Sequence, residues 1–249
     1  MMTKISIITA CLNNASTIEG AVNSVLGQDY PDVEYIVIDG GSTDGTIDIL
    51  KKYQSRIATL VSEPDGGIYQ ALNKGIGKAT GDITGFLHAD DFYNGSGVLA
   101  KVVNTFDIYK TDCLYGDLQY VSRENSNRVV RNWIAGSYTY GLFLKGWMPP
   151  HPSFFIRQEC YTRYGMFNTS LSISADYELM LRMMHKHKIS VHYLPEVLVK
   201  MRTGGKSNKS LGSRIKANME DRKAWKMNNL KPGMFTLLRK PFGKIGQFF

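Results

Sequence analysis

Cysteine is scarce in this chain, and the three that exist stand far apart, at Cys11, Cys113 and Cys160. An odd, scattered set excludes a disulfide framework, and no pair has metal-binding spacing, so these read as reduced structural thiols of a cytosolic protein. Long apolar runs are missing too. No stretch approaches the roughly 18 residues needed to cross a bilayer. The apolar run in MMTKISIITACLNN is too short for a signal peptide and reads as a strand entering a polar loop. Acidic residues are outnumbered, 22 against 30 lysines and arginines, for a formal charge of +8. That balance calls for an acidic partner: nucleotide phosphates, nucleic acid or an anionic membrane surface. The cations gather near the C-terminus without a readable nucleic-acid motif, which argues against nucleic acid. Phosphate-loop signatures are absent as well. TGGKS (Thr203 to Ser207) would need glycine at position 200, where Lys200 stands, and GIGKATG (Gly75 to Gly81) follows a helix rather than a strand. There is no internal repeat or low-complexity linker.

What is present is alternation of strand and helix. The hydrophobic share is 43%, that of a globular protein with a substantial core. Lys4 to Thr9, Val33 to Ile38, Ile57 to Val61 and Asp82 to Leu87 are short β-branched or apolar runs. Between them, Ile18, Val22 and Val25/Leu26 recur at helical spacing, as do Ile47 and Leu50, and Ala71, Leu72 and Ile76. This order predicts an α/β fold with a mostly parallel sheet and helices on both faces. Ligands of such sheets sit at the carboxyl ends of the strands, so the loops that count begin at Thr9, Asp39, Ser62 and His88. Further on, Cys113 to Val121 reads as a strand, with a hairpin to Trp133. GWMPPHPSFF reads as a turn and a strand, and Ala175 to His187 as an amphipathic helix. Val191 to Arg202 holds one or two strands broken at Pro195, and the chain from Ser210 is helical and basic.

Four stretches in order, SIITACLNN, VIDGGSTDGT, SEPDGGIYQALNKGI and GDITGFLHADD, resemble the family-2 glycosyltransferases of the GT-A fold; SADYELMLR and TGGKS extend the likeness to about residue 207. The resemblance implies a nucleotide-sugar-binding part over residues 1–118, an acceptor-binding part over 119–208, and a basic helical tail over 209–249. It implies inverting transfer of a hexose from a UDP-sugar with Mn²⁺ or Mg²⁺ as cofactor. Such a cation neutralises charge on the departing diphosphate.

Residue by residue, the likeness to an Asp-x-Asp motif makes Asp90 the metal ligand with Asp91 beside it; His88 replaces the first aspartate of many relatives and is placed on the ribose or phosphate. The competing reading of HADD is a solvated acidic loop. Thr9 and Ala10 are expected to line the base pocket through backbone groups, and Asp39 to accept from uracil or ribose, against a plain turn-and-cap role. Asp44 is expected to be structural. Asp65 is assigned to the base or ribose region, where Gly66 replaces a lysine common in relatives. Asn73 is assigned to the nucleotide, against a polar helix face, and Lys206 to the diphosphate on a lid. His151, in PPHPSFF, is assigned to the acceptor, against packing in a proline turn. Asp176 opens a helix, where the dipole keeps a carboxylate ionised; the family's general base stands at the corresponding place, a simple N-cap being the alternative. Glu178 and Arg182 have the spacing of a helix ion pair.

The resulting expectation is a single displacement that turns an α-linked donor into a β-linkage. A Gln-x-x-Arg-Trp motif is absent, which argues for one sugar per encounter. Sugar nucleotidyltransferases share the sheet and the metal, but their loop after the first strand is basic and TACLNNAS is not. The tail KPGMFTLLRKPFGKIGQFF interleaves apolar side chains with cations, which suits a segment lying in a membrane interface. The chain is therefore expected in the cytoplasm, peripheral on the inner face of the membrane, acting on a lipid-linked saccharide in surface-polysaccharide assembly. The alternative packs the tail on its own domain or on a second subunit of a homodimer.

Overall fold

The structure, a computed structural model, describes residues 2–204, 211–233 and 236. Lys206 and the apolar residues of the tail lie outside the described residues.

The first half builds as its sequence pattern predicts. Strands β1 (Ile5–Cys11), β2 (Val33–Asp39), β3 (Thr59–Ser62) and β4 (Ile83–Phe86) are joined by helices α1 (Ile18–Leu26), α2 (Thr46–Lys51) and α3 (Ile68–Lys78). All four strands pair in parallel, in the order β3-β2-β1-β4. The two-residue period of a strand sends Ile5 and Ile7 to one face and Ile8 and Ala10 to the other. On the first face they meet Ile18, Val22 and Val25 of α1; on the second, Ala71, Leu72 and Ile76 of α3. Gly75 of α3 has a packing role. A Cβ there would fall 2.4 Å from Ile8 Cγ2, so the helix can lie this close to β1 only without one.

The second half supplies β5 (Asp91–Tyr93), α4 (Val98–Tyr109), β6 (Cys113–Val121), β7 (Val129–Trp133), β8 (Phe154–Arg157), α5 (Gln158–Tyr164), α6 (Ala175–Met180), β9 (Val191–Arg202) and α7 (Leu211–Met227). They extend the sheet as β4-β8-β6-β9-β5, with β7 beside β6. β5, β7 and β8 run against the other strands, which keeps the sheet mostly parallel. β9 is one strand. The expected break at Pro195 is a shift in its pairing with β6, from Gly116↔Leu194 to Asp117↔Val197.

One expectation changes. The run from Ala175 is not amphipathic: Tyr177, Glu178, Leu179, Met180, Leu181, Met183, Met184 and His185 are all buried. Its α-helical part ends at Met180 and continues as a π-helical turn over Leu181–Lys186. Ala224 and Trp225 of α7 are buried in the same core as residues of α3 and α6.

Candidate active site

Parallel pairing brings Cys11, Asp39 and Ser62 into one row at the carboxyl ends of β1, β2 and β3. Asp39 is buried and its carboxylate is occupied by its own loop. Oδ2 accepts from the backbone N–H of Gly41 (3.2 Å) and Ser42 (3.0 Å) and from the Ser62 hydroxyl (2.7 Å); Oδ1 accepts from the Ser42 hydroxyl and from Cys11 Sγ. Burial alone would raise its pKa, but these donors bring it below the ordinary carboxylate value. Asp39 therefore shapes the loop after β2, and Gly41, at φ +84°, makes the turn possible. Asp44 stitches neighbouring loops together, accepting from Thr46 N at 3.0 Å and Ala15 N at 3.0 Å, the structural role its position suggests.

Thr9 and Ala10 lie inside β1. Both are buried, and the Thr9 hydroxyl accepts from Tyr35 at 3.1 Å, so neither side chain opens onto the row. Asp65 leans over it: a Cβ on Gly40 would come 3.0 Å from Asp65 Oδ2. Asn73 faces elsewhere. Its amide donates to Phe167 O (2.9 Å) and accepts from Phe167 N (3.0 Å), which leaves it clamping a backbone rather than turned toward a nucleotide.

The chain after β4 divides the two adjacent acids. Asp90 is half-buried and its backbone carbonyl is held by Arg202 Nη1 at 2.6 Å. Asp91 starts β5 opposite Met201 and is fully buried, with neither carboxylate oxygen hydrogen-bonded among the described residues. Burial, and then the Asp90 charge, push its pKa well above the ordinary range. Of the two acids expected on a cation, Asp90 is the accessible one, while Asp91 is buried in the sheet.

His88 and His151 stand together, ring centroids 5.5 Å apart. His151 is buried, stacked on Phe86 at 5.7 Å with Phe167 edge-on at 5.9 Å. Its Nε2 has no partner among the described residues. Burial pushes the His151 pKa down to about 4, and burial together with His151 does the same to His88, so both rings are neutral at pH 7. The carboxylates of Asp90 and Asp176 both act on His88 in the opposite sense, which places these three groups in one neighbourhood.

Asp176 lies in the first turn of α6, where its Oδ1 accepts from Tyr177 N at 2.8 Å. Tyr69 of α3 reaches it from the first half of the chain, donating to Ile173 O at 2.7 Å with Asp176 Oδ1 at 3.4 Å. Glu178 and Arg182 form the expected ion pair at 2.9 Å. Sequence reasoning passes over Tyr69 and Arg202. Both stand beside motifs, in GGIYQ and MRTGG, but nothing in their spacing shows the long-range contact.

A Mn²⁺ or Mg²⁺ ion can be tested against this set. Among the described residues no three His, Cys, Asp or Glu side chains form a metal-holding group. One accessible carboxylate, Asp90, suits a hard cation that draws its other ligands from substrate phosphates and water. The residues fit such an ion on those terms.

The comparisons agree with this geometry. The model of the family described as Glycosyl transferase family 2 matches residues 6–170. An uncharacterized glycosyltransferase of Mycobacterium tuberculosis is 33% identical over 183 residues, 72% of this chain and 68% of that protein. A PGL/p-HBAD biosynthesis glycosyltransferase of Mycobacterium bovis is 28% identical over 208 residues, 82% and 78% of the two chains. Among solved structures, residues 1–349 of S. aureus TarS superpose with a TM-score of 0.69 at 18% identity, covering 96% of this chain and 70% of that one. The chain spans only 39% of a longer TarS chain. Mannosyltransferase PcManGT from Pyrobaculum calidifontis, in complex with GDP-Man and Mn²⁺, gives 0.67 at 20% identity, covering 97% and 70%. With the site at the carboxyl ends of a mostly parallel sheet, the chain belongs to glycosyl transferase family 2 and has the GT-A fold.

Proposed function

We propose that the protein is an inverting glycosyltransferase that moves a hexose from a UDP-sugar to a hydroxyl of a lipid-linked saccharide, one sugar per encounter. The observation that carries this reading is the gathering of Asp90, His88 and Asp176 where the first-half loops meet the second half. Structures of TarS with UDP and with UDP-GlcNAc, and of PcManGT with GDP-Man, support a nucleotide-sugar donor. The loops ordered by Asp39 and Asp65 hold the nucleotide. Asp90 holds the divalent cation, which when bound offsets charge on the diphosphate. His88, a neutral imidazole, offers a hydrogen bond to the donor, and His151 backs it from the core. Lys206, outside the described residues, is assigned to the diphosphate. Asp176 takes the proton from the acceptor hydroxyl, which attacks the anomeric carbon from the face opposite the diphosphate. An α-linked donor then yields a β-linkage.

The membrane part of the proposal rests on composition. No helix among the described residues is long and apolar enough to cross a membrane. The interleaved apolar and basic residues of 232–249 favour peripheral attachment at an anionic surface, on the inner face of the cytoplasmic membrane. Incubating the protein with a panel of UDP-sugars and GDP-mannose, Mn²⁺ and an acceptor mimic bearing GlcNAc on a lipid diphosphate tests the activity. Turnover of a UDP-sugar is expected. Exclusive use of GDP-mannose would move the donor assignment to guanine nucleotides.

A further inference from the structure

Helix α6 carries the proposed base, and its cap residue, Ser174, makes no side-chain cap hydrogen bond to it. Ser174, the residue in the cap position, instead donates its hydroxyl to Ala217 O of α7 at 3.2 Å. The cap comes from α7 as well. Glu220 is buried, and among the described residues its carboxylate bonds to the three residues before Ala175. Oε1 accepts from Ser172 N (3.1 Å) and the Ser172 hydroxyl (2.8 Å); Oε2 accepts from Ile173 N (2.8 Å) and Ser174 N (2.9 Å). No lysine or arginine pairs with it among the described residues. Beyond Asp176 the same helix and the residue just past its end grip the chain again, through Trp225 Nε1 to the Tyr177 hydroxyl (2.9 Å) and Asn228 Nδ2 to Glu178 Oε1 (2.9 Å). The backbone before Asp176 and the side chains after it are thus held by α7 and the residue that follows it, outside the matched family region, residues 6–170.

We propose that Glu220 is a positioning residue for glycosyl transfer, its carboxylate fixing the backbone of Ser172–Ser174 and through it the placement of Asp176. This rests on the reading of Asp176 as the base. Two physical effects follow. A base displaced by about 1 Å can lose on the order of 10²-fold in rate. The Glu220 charge also offsets the positive end of α6, which would otherwise weaken Asp176 as a proton acceptor. Loss of the charge should therefore move the acid limb of the rate profile to lower pH.

The test uses the full chain and the UDP-sugar that the wild type turns over. Glu220→Gln is expected to lower kcat by about tenfold or more. The acceptor KM and the affinity for UDP with Mn²⁺ should stay within about twofold, because nothing at the nucleotide loops changes. Its acid limb should move to lower pH, and hydrogen exchange should show the amides of Ile173 and Ser174 deprotected. In an Asp176→Asn background the same change should slow the residual rate no further, since the two residues act on one step. A wild-type kcat and pH profile in Glu220→Gln, or a full additional loss in the double variant, would overturn the proposal. Should Glu220→Gln fail to fold, Glu220→Asp and Ser172→Ala decide. Each is expected to lower kcat with UDP affinity intact, and wild-type kcat in both overturns the proposal. Normal transfer by Asp176→Asn sinks the base reading and this one together; an inactive Asp176→Asn beside a fully active Glu220→Gln sinks this one alone.

Discussion

At the scale of single residues, Asp90 and Asp91 show how two adjacent carboxylates coexist: one stays half-buried near His88, and the other is fully buried, where burial and the Asp90 charge push its pKa up. Asp90→Asn should lower turnover by on the order of 10²-fold or more, because the cation loses its charged protein ligand. Calorimetry should show the Mn²⁺-dependent part of UDP affinity lost with it; full activity after EDTA treatment would contradict the assignment. Asp39→Ala should weaken UDP binding by roughly 1–3 kcal/mol, here through collapse of the loop that its five hydrogen bonds hold. Unchanged affinity in titration calorimetry would place the nucleotide elsewhere. The types and order of these residues were legible in the sequence, since acids at strand exits carry their own signal. Their orientations were not. Burial of Asp91 depends on its pairing with Met201, 110 positions away in the chain by numbering. The Asn73 amide likewise serves Phe167, a partner no local pattern announces.

At the scale of elements, the sheet is locked at the end remote from the site. Glu34 of β2 accepts from Ser6 Oγ (2.6 Å), Thr80 N (2.8 Å) and Lys4 Nζ (3.1 Å), tying β1, β2 and the end of α3 together. Burial would raise its pKa, but these donors hold it at about 2 against an ordinary 4.5. A depressed acid stabilises the fold above its unfolded pKa and loses that contribution as pH falls toward the folded value. The contribution is on the order of 3 kcal/mol at neutral pH. Denaturant melts should therefore show Glu34→Gln clearly destabilised at pH 7, with the gap to wild type closing between about pH 4.5 and 2. A gap that does not change with pH would assign the effect to packing alone. The alternating elements of the first half were legible because their periods are clean and their turns are rich in glycine and aspartate. Helix α4 carries an equally readable run of Val98, Leu99, Val102, Val103 and Phe106, which sequence reading passes over. The Ala175 helix misleads for a different reason: α7 covers the side that its polar residues suggest is open.

At the scale of the whole molecule, the basic charge concentrates toward the C-terminal end, and residues 232–249 are where a membrane role would lie. Truncation after Lys231 should lower binding to anionic liposomes at low salt and slow transfer to a long-chain lipid acceptor, while transfer to a short soluble acceptor survives, since α7 remains intact. Equal liposome binding by full-length and truncated protein would remove the membrane role. Donor and acceptor identity were not legible, because they depend on the shape of a pocket built by irregular loops of the second half. The account as a whole turns on the direction of attack and on the residue that drives it. Wild-type protein and Asp176→Asn, each given an α-linked UDP-sugar, Mn²⁺ and the GlcNAc-diphosphate-lipid mimic, can be followed by anomeric proton NMR of the product. The expected result is a β-linked product from the wild type and none from Asp176→Asn, with UDP affinity of the variant within about twofold of wild type. An α-linked product, or near-normal transfer by Asp176→Asn, would contradict it.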